Sequence, residues 1–144
     1  MRALARLQPY ALMLLRVVLG VTMVYNSWSK VLPADGLRHA YVHHHLLGSM
    51  EHFNDFVVTL HLPRWLGYIS TVTEFAGGLF LIVGLLTRFW ALLIAINMLV
   101  ALVAVNVRHG YSGSQYPIAL VAMAFVLLTA GSGSYSLDRR FGLS

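Results

Sequence analysis

Four stretches of this chain are apolar for long enough to suggest membrane crossings, and short polar segments separate them. The first covers about residues 9–31, with Pro9 suited to an opening helical turn and Pro33 closing the exit. The second, 65–86, is 22 residues long, a fit to the roughly 30 Å hydrocarbon core. The third, 89–107, follows it after only Thr87-Arg88, so the two predict a tight antiparallel hairpin. The fourth, 116–131, is short for a perpendicular crossing and is expected to borrow Ser114 and Gln115 or to sit in thinned bilayer.

Between the first two stretches lie 31 residues, Pro33–Pro63, too many for a structureless loop in so small a protein. Leu46, Met50, Phe53, Val57 and Leu60 recur at spacings of three and four, while Glu51, Asn54 and Asp55 mark other faces. This pattern predicts an amphipathic helix lying on the membrane surface or capping the bundle. The expected fold is therefore an all-α membrane protein. It is a four-transmembrane-helix bundle with an amphipathic extracytoplasmic helix between spans 1 and 2, forming a single domain over 1–144.

Composition agrees. The chain is 58% hydrophobic and 10% charged, far below the roughly 25% charge of soluble domains. Its net charge of +5 is scattered, with no basic stripe or nucleic-acid motif, so the partner it implies is the lipid bilayer and not nucleic acid. Without cysteine the chain cannot ligate an iron–sulfur cluster or run a thiol relay, and no histidine inside a span offers itself to haem. The apolar run after Arg2 and Arg6 exceeds a signal-peptide core and lacks a small-residue cleavage site, so it reads as a retained span.

Four spans put both termini on one side, with Arg2, Arg6, Arg88, Arg139 and Arg140. The other side carries Lys30, Arg38, Arg64 and Arg108. This slight bias places the termini in the cytoplasm and all seven histidines outside. Trp28 and Trp65 then belong to the outer aromatic belt, and Trp90 to the inner one.

Glu74, near the middle of the second stretch, is the first candidate for function, since an intramembrane carboxylate costs at least about 2.5 kcal/mol unless partnered. By helical rise it lies about 14 Å below the outer edge, while Arg16 and Asn97 lie about 10 and 12 Å above the inner edge. The three converge on one slab, predicting an Arg16–Glu74 pair oriented by Asn97. Two interpretations stand: structural glue between three helices, or the border of a pocket or proton relay. Gly20, Gly77, Gly78 and Gly84 suit close helix packing.

A second polar set lies near the outer edge and includes Asn26, Lys30, Tyr68 and His109. Aromatic walls and hydrogen-bond donors at that depth suit a quinone ring, but Trp, Tyr and Lys also gather at any membrane interface. His39 and His43, four apart, offer the spacing of a zinc or copper site. Converging third and fourth ligands are missing, so no metal is expected there.

Arg16-x-x-x-Gly20 leading to Lys30, Thr73-Glu74-Phe75-x-Gly77-Gly78 and Gly84-Leu85-Leu86-Thr87-Arg88 form a recognisable series. Asn97-Met98-x-x-Ala101 and Gly131…Tyr135-Ser136-Leu137-Asp138 continue it. In these residues the chain resembles the DoxX family of small four-span bacterial membrane proteins, over roughly 13–138. The resemblance implies a helical bundle in the bacterial inner membrane and polar positions at Arg16, Lys30, Glu74 and Asn97. Some members are associated with quinone-linked oxidation or oxidoreductase complexes. The function expected is thus a membrane subunit or quinone-interacting component of a redox system, with a partner oxidoreductase or a second copy of the chain as associates. The alternatives are a non-enzymatic anchor or assembly factor docking an extracytoplasmic protein, and a histidine-based metal-handling protein.

Overall fold

The computed structural model describes the backbone of residues 2–31, 48–104, 110–133 and 135–142, and among these it is helical with no strand. Its helices are α1 (Arg2–Val31), α2 (Gly48–Thr59), α3 (Arg64–Val83), α4 (Thr87–Ala104), α5 (Gly110–Ala130) and the short α6 (Leu137–Arg140). Three segments, Leu7–Val31, Arg64–Val83 and Thr87–Ala104, are long and apolar enough to cross a membrane, and Ser114–Ala130 is a shorter apolar helix beside them. The chain is a multi-pass helical membrane protein.

Helix α1 packs along α3, and α4 along α5; the α3–α4 hairpin joins the two pairs, while α2 rests on α3 and α1. Leu19, Met23, Leu81, Ile94, Met98 and Leu127 meet in the core. Outward faces remain apolar, with Leu14, Ile69, Val83 and Val103 at least half exposed. In water such faces would be a liability; in lipid they are solvated.

The α1–α3 contact has its closest approach at two glycines. A Cβ on Gly20 would lie 2.7 Å from the Gly78 carbonyl oxygen, and one on Gly78 equally close to that of Gly20. Backbone occupies both positions, so neither clash can be relieved by a rotamer change. Gly20→Ala should therefore destabilise the bundle by about 1–3 kcal/mol, the usual cost of overpacking. Thermal melting in detergent tests this, and an unchanged melting temperature would remove the crossing from the fold's essential contacts.

Boundaries moved where helix and hydrocarbon span differ. Residues 2–6 continue α1, so Pro9 lies inside the helix and not in its opening turn. Helix α5 begins at Gly110, six residues before the apolar stretch, and contains Pro117. The predicted surface helix is present as α2. Gly84 serves as the left-handed cap of α3, φ 78°, its N–H donating to the Phe80 and Leu81 carbonyls. Gly84 thus caps α3 and also leaves room for Arg16 of α1 to lie against it.

Candidate functional site

Glu74 sits on the buried face of α3 with Thr71, Gly77 and Gly78. Its Oε2 accepts from Lys30 Nζ at 2.7 Å. Its Oε1 accepts from Asn97 Nδ2 at 3.1 Å and Ser70 Oγ at 3.3 Å. Both carboxylate oxygens are thus engaged, from α1, α4 and α3 itself. The Glu74 side chain is 5% exposed and that of Lys30 20%. A cation and an anion are buried together, which lowers the burial cost of each.

The expected Arg16–Glu74 pair is not formed. Helical side chains lean toward their own N-terminus. On α1 this sends Lys30 inward, toward the level of Glu74, and Arg16 toward the end that holds the termini. On the antiparallel α3 it sends Glu74 the opposite way, toward Lys30. Arg16 instead lies against Gly84, ten residues beyond Glu74 and so about 15 Å further along α3. It donates to the carbonyls of Ser132 (2.9 Å) and Tyr135 (2.8 Å). Asp138 completes this clasp, accepting from the backbone N–H groups of Leu86 and Thr87 (the latter at 2.8 Å), while its own N–H donates to Gly84 O. Beside it the Tyr135 hydroxyl hydrogen-bonds with that of Tyr10 at 3.1 Å, which holds the Tyr135 pKa above the ordinary phenol range.

Above the Lys30–Glu74–Asn97 cluster is a chamber of about 240 Å³. Phe53, Phe56 and Val57 of α2 roof it, Leu66 and Ile69 of α3 and Leu93, Ile96 and Val100 of α4 form its walls, and Lys30, Ser70, Glu74 and Asn97 supply polar atoms. Ile69, Ile96 and Val100 are also exposed on the outer surface, so the chamber reaches the lipid-facing side. Lys30 Nζ stands 4.1 Å from the centroid of the Phe53 ring, tying roof to cluster by a cation–π contact. The roof is seated at Gly67, where a Cβ would collide with Oδ1 of the fully buried Asn54.

The other expected site residues scatter. Asn26 donates to the Tyr116 hydroxyl at 2.6 Å, linking α1 to α5, and is not in the chamber lining. Tyr68 is 38% exposed and also outside it. Of the expected outer set, the structure brings Lys30 to the chamber and Asn26 to Tyr116, while Tyr68 lines neither contact. His109, His39 and His43 lie outside the described residues; among those described, no cluster of three or more His, Cys, Asp or Glu could hold a metal. Trp28 and Trp65 are exposed, whereas Trp90 stacks on Phe80 at 5.1 Å and is half-buried.

Sequence reasoning missed Ser70, four residues before Glu74 on the same helical face, a spacing that signals contact. It also missed Phe53 as a roof, though the α2 periodicity had marked it as apolar.

Comparison with known proteins adds two findings. The DoxX family model matches residues 11–107. A Bacillus subtilis (strain 168) protein carrying the name "Putative oxidoreductase CatD" is 24% identical over 127 residues, 88% of this chain and 83% of that protein. No solved structure matches.

Proposed function

The chain belongs to the DoxX family, and from that premise we propose that it is a quinone-interacting membrane component of a redox system, with the chamber beneath α2 as the quinone site. The observation that carries this is the chamber itself: apolar walls open toward lipid, with a charged, hydrogen-bonding cluster at the base. The name of the Bacillus relative is a weaker support from the same direction.

The residues present fit such a group. At about 240 Å³ the space suits a single ring, being below the roughly 300–1,000 Å³ of pockets for drug-sized ligands. The lipid-facing side gives an isoprenoid tail its exit. A quinone supplies two-electron, two-proton chemistry; without cysteine the chain can hold neither an iron–sulfur cluster nor a thiol relay, and on this reading a partner oxidoreductase supplies the electrons. Lys30 and Asn97 can donate to a ring carbonyl, each already turned toward the chamber floor. Glu74, held by three donors, can exchange a proton at its carboxylate. Phe53 and Phe56 would close the roof over such a group and exclude water. On this reading the termini are cytoplasmic and α2 lies on the outer face of a bacterial inner membrane.

Adding a ubiquinone or menaquinone analogue at 100-fold over Kd should stabilise the folded protein by about 2.7 kcal/mol, read as a rise in melting temperature. Asn97→Leu should diminish the rise, while Asn26→Ala, outside the chamber, should leave it intact. No rise with either quinone type would favour the second reading, an anchor or assembly factor. For that role the outer face of α2, with Glu51, Asp55 and Val58 exposed, is the docking surface.

A further inference from the structure

At the opposite end of the bundle, where α1 and the residues after α5 come together, is a separate cavity of about 340 Å³. We propose that it binds the phosphate of an anionic phospholipid headgroup. Its walls include Arg88 at the start of α4, Arg139 on α6, Gln8, Pro9 and Leu12 of α1, and the Ala130–Gly133 segment that ends α5. Three apolar segments end or begin at this level, Leu7–Val31, Thr87–Ala104 and Ser114–Ala130, so the cavity lies at headgroup depth.

The Arg88 guanidinium lies beside Gly131 at the cavity wall. Gly131, φ 80°, closes α5 with its N–H on the Leu127 carbonyl, and a Cβ there would lie 3.4 Å from Nε and Nη2 of Arg88. Gly133, φ 75°, likewise keeps its wall free of a side chain, where a Cβ would come within 3.2 Å of Leu12. Among the described residues Arg88 makes no ion pair, and the Asp138 carboxylate is already engaged by the N–H groups of Leu86 and Thr87. A guanidinium in that state has its planar fork available for two phosphate oxygens. Arg139 brings a second positive charge to the same wall.

A free inorganic phosphate would share this chemistry, but the cavity favours a lipid. Pro9, Leu12 and Ala130 give it an apolar side continuous with the hydrocarbon, against which a glycerol backbone and the first acyl methylenes can lie. Basic pockets between transmembrane helices are the usual seats of anionic headgroups.

The test is native mass spectrometry of the full chain in neutral detergent, titrated with phosphatidylglycerol or with phosphatidylcholine of the same acyl chains. Phosphatidylglycerol should be retained about tenfold more tightly, as two arginines near a headgroup suggest. Arg88→Gln and Arg139→Gln should each reduce that preference severalfold, and Arg140→Gln, outside the lining, should not. If Arg88→Gln fails to fold in phosphatidylcholine, Arg139→Gln decides by the same readout. Equal retention of the two lipids, or full preference in both lining variants, overturns the site. Sodium phosphate that raises the melting temperature and displaces phosphatidylglycerol would overturn the lipid and leave a free-anion site.

Discussion

Lys30→Met should destabilise the bundle more than Glu74→Leu, although each removes one member of the same pair. Without Lys30, a carboxylate only 5% exposed keeps Asn97 and Ser70 but loses its countercharge, and the cost should be about 3 kcal/mol. Without Glu74, Lys30 has another option. It lies in the last turn of α1 and is 20% exposed, so its long stem can turn the ammonium toward the headgroups. That loss should be nearer 1–2 kcal/mol. The double variant should recover much of the Lys30→Met penalty, since no charge is then stranded. Melting in detergent across the cycle gives the coupling; simple additivity would mean the two residues do not act as a pair. Arg16→Met makes a separate check, because Glu74→Leu should not rescue it.

The helical architecture was legible because apolar run length and polar punctuation act locally. Each span needs only to be apolar for its own length, and the α2 periodicity needs only one apolar face. Helix ends were less legible, since α1 continues through Arg2–Pro9 and α5 through Gly110–Gln115 without any change in backbone preference at the membrane edge. Hydropathy reports where lipid begins, not where hydrogen bonding stops.

The site was half legible. Intramembrane polar residues announced themselves by cost, and Glu74 with Asn97 came out as neighbours. Depth along the axis could not decide which cation Glu74 takes, because Arg16 and Lys30 lie on one helix on either side of its level. Direction decides it: on α1 both cations lean toward the N-terminus, which brings Lys30 to Glu74 and takes Arg16 away. The late Ser136-Leu137-Asp138 motif had no assignable role from sequence, because the partners of Asp138 lie 52 and 51 residues earlier, at Leu86 and Thr87. Only the fold shows that these two turns are one object.

Asp138→Ala should be the most damaging change at the terminal end, costing about 3 kcal/mol or more. The carboxylate is 3% exposed and accepts from two N–H groups at the start of α4, groups that have no acceptor within their own helix. Hydrogen bonds to a charged group contribute about 1.5–3 kcal/mol each, and a negative charge at a helix N-terminus adds to them. Asp138→Asn keeps one oxygen acceptor and should lose about half as much. Ser136→Ala removes the cap of the four-residue α6, where Ser136 Oγ accepts from Arg139 N–H, together with the hydrogen bonds of that hydroxyl to Ser132 Oγ and the Gly133 carbonyl, and should cost about 1–2 kcal/mol. Arg16→Met releases the same segment by another route, through the Ser132 and Tyr135 carbonyls. Its penalty and that of Asp138→Ala should therefore sum to more than the double variant loses, since a segment already freed cannot be freed twice. Melting curves of the four variants and the double, in one detergent, decide the matter. An Asp138→Ala protein that melts no lower than Ser136→Ala would show that α4 begins without help from the clasp.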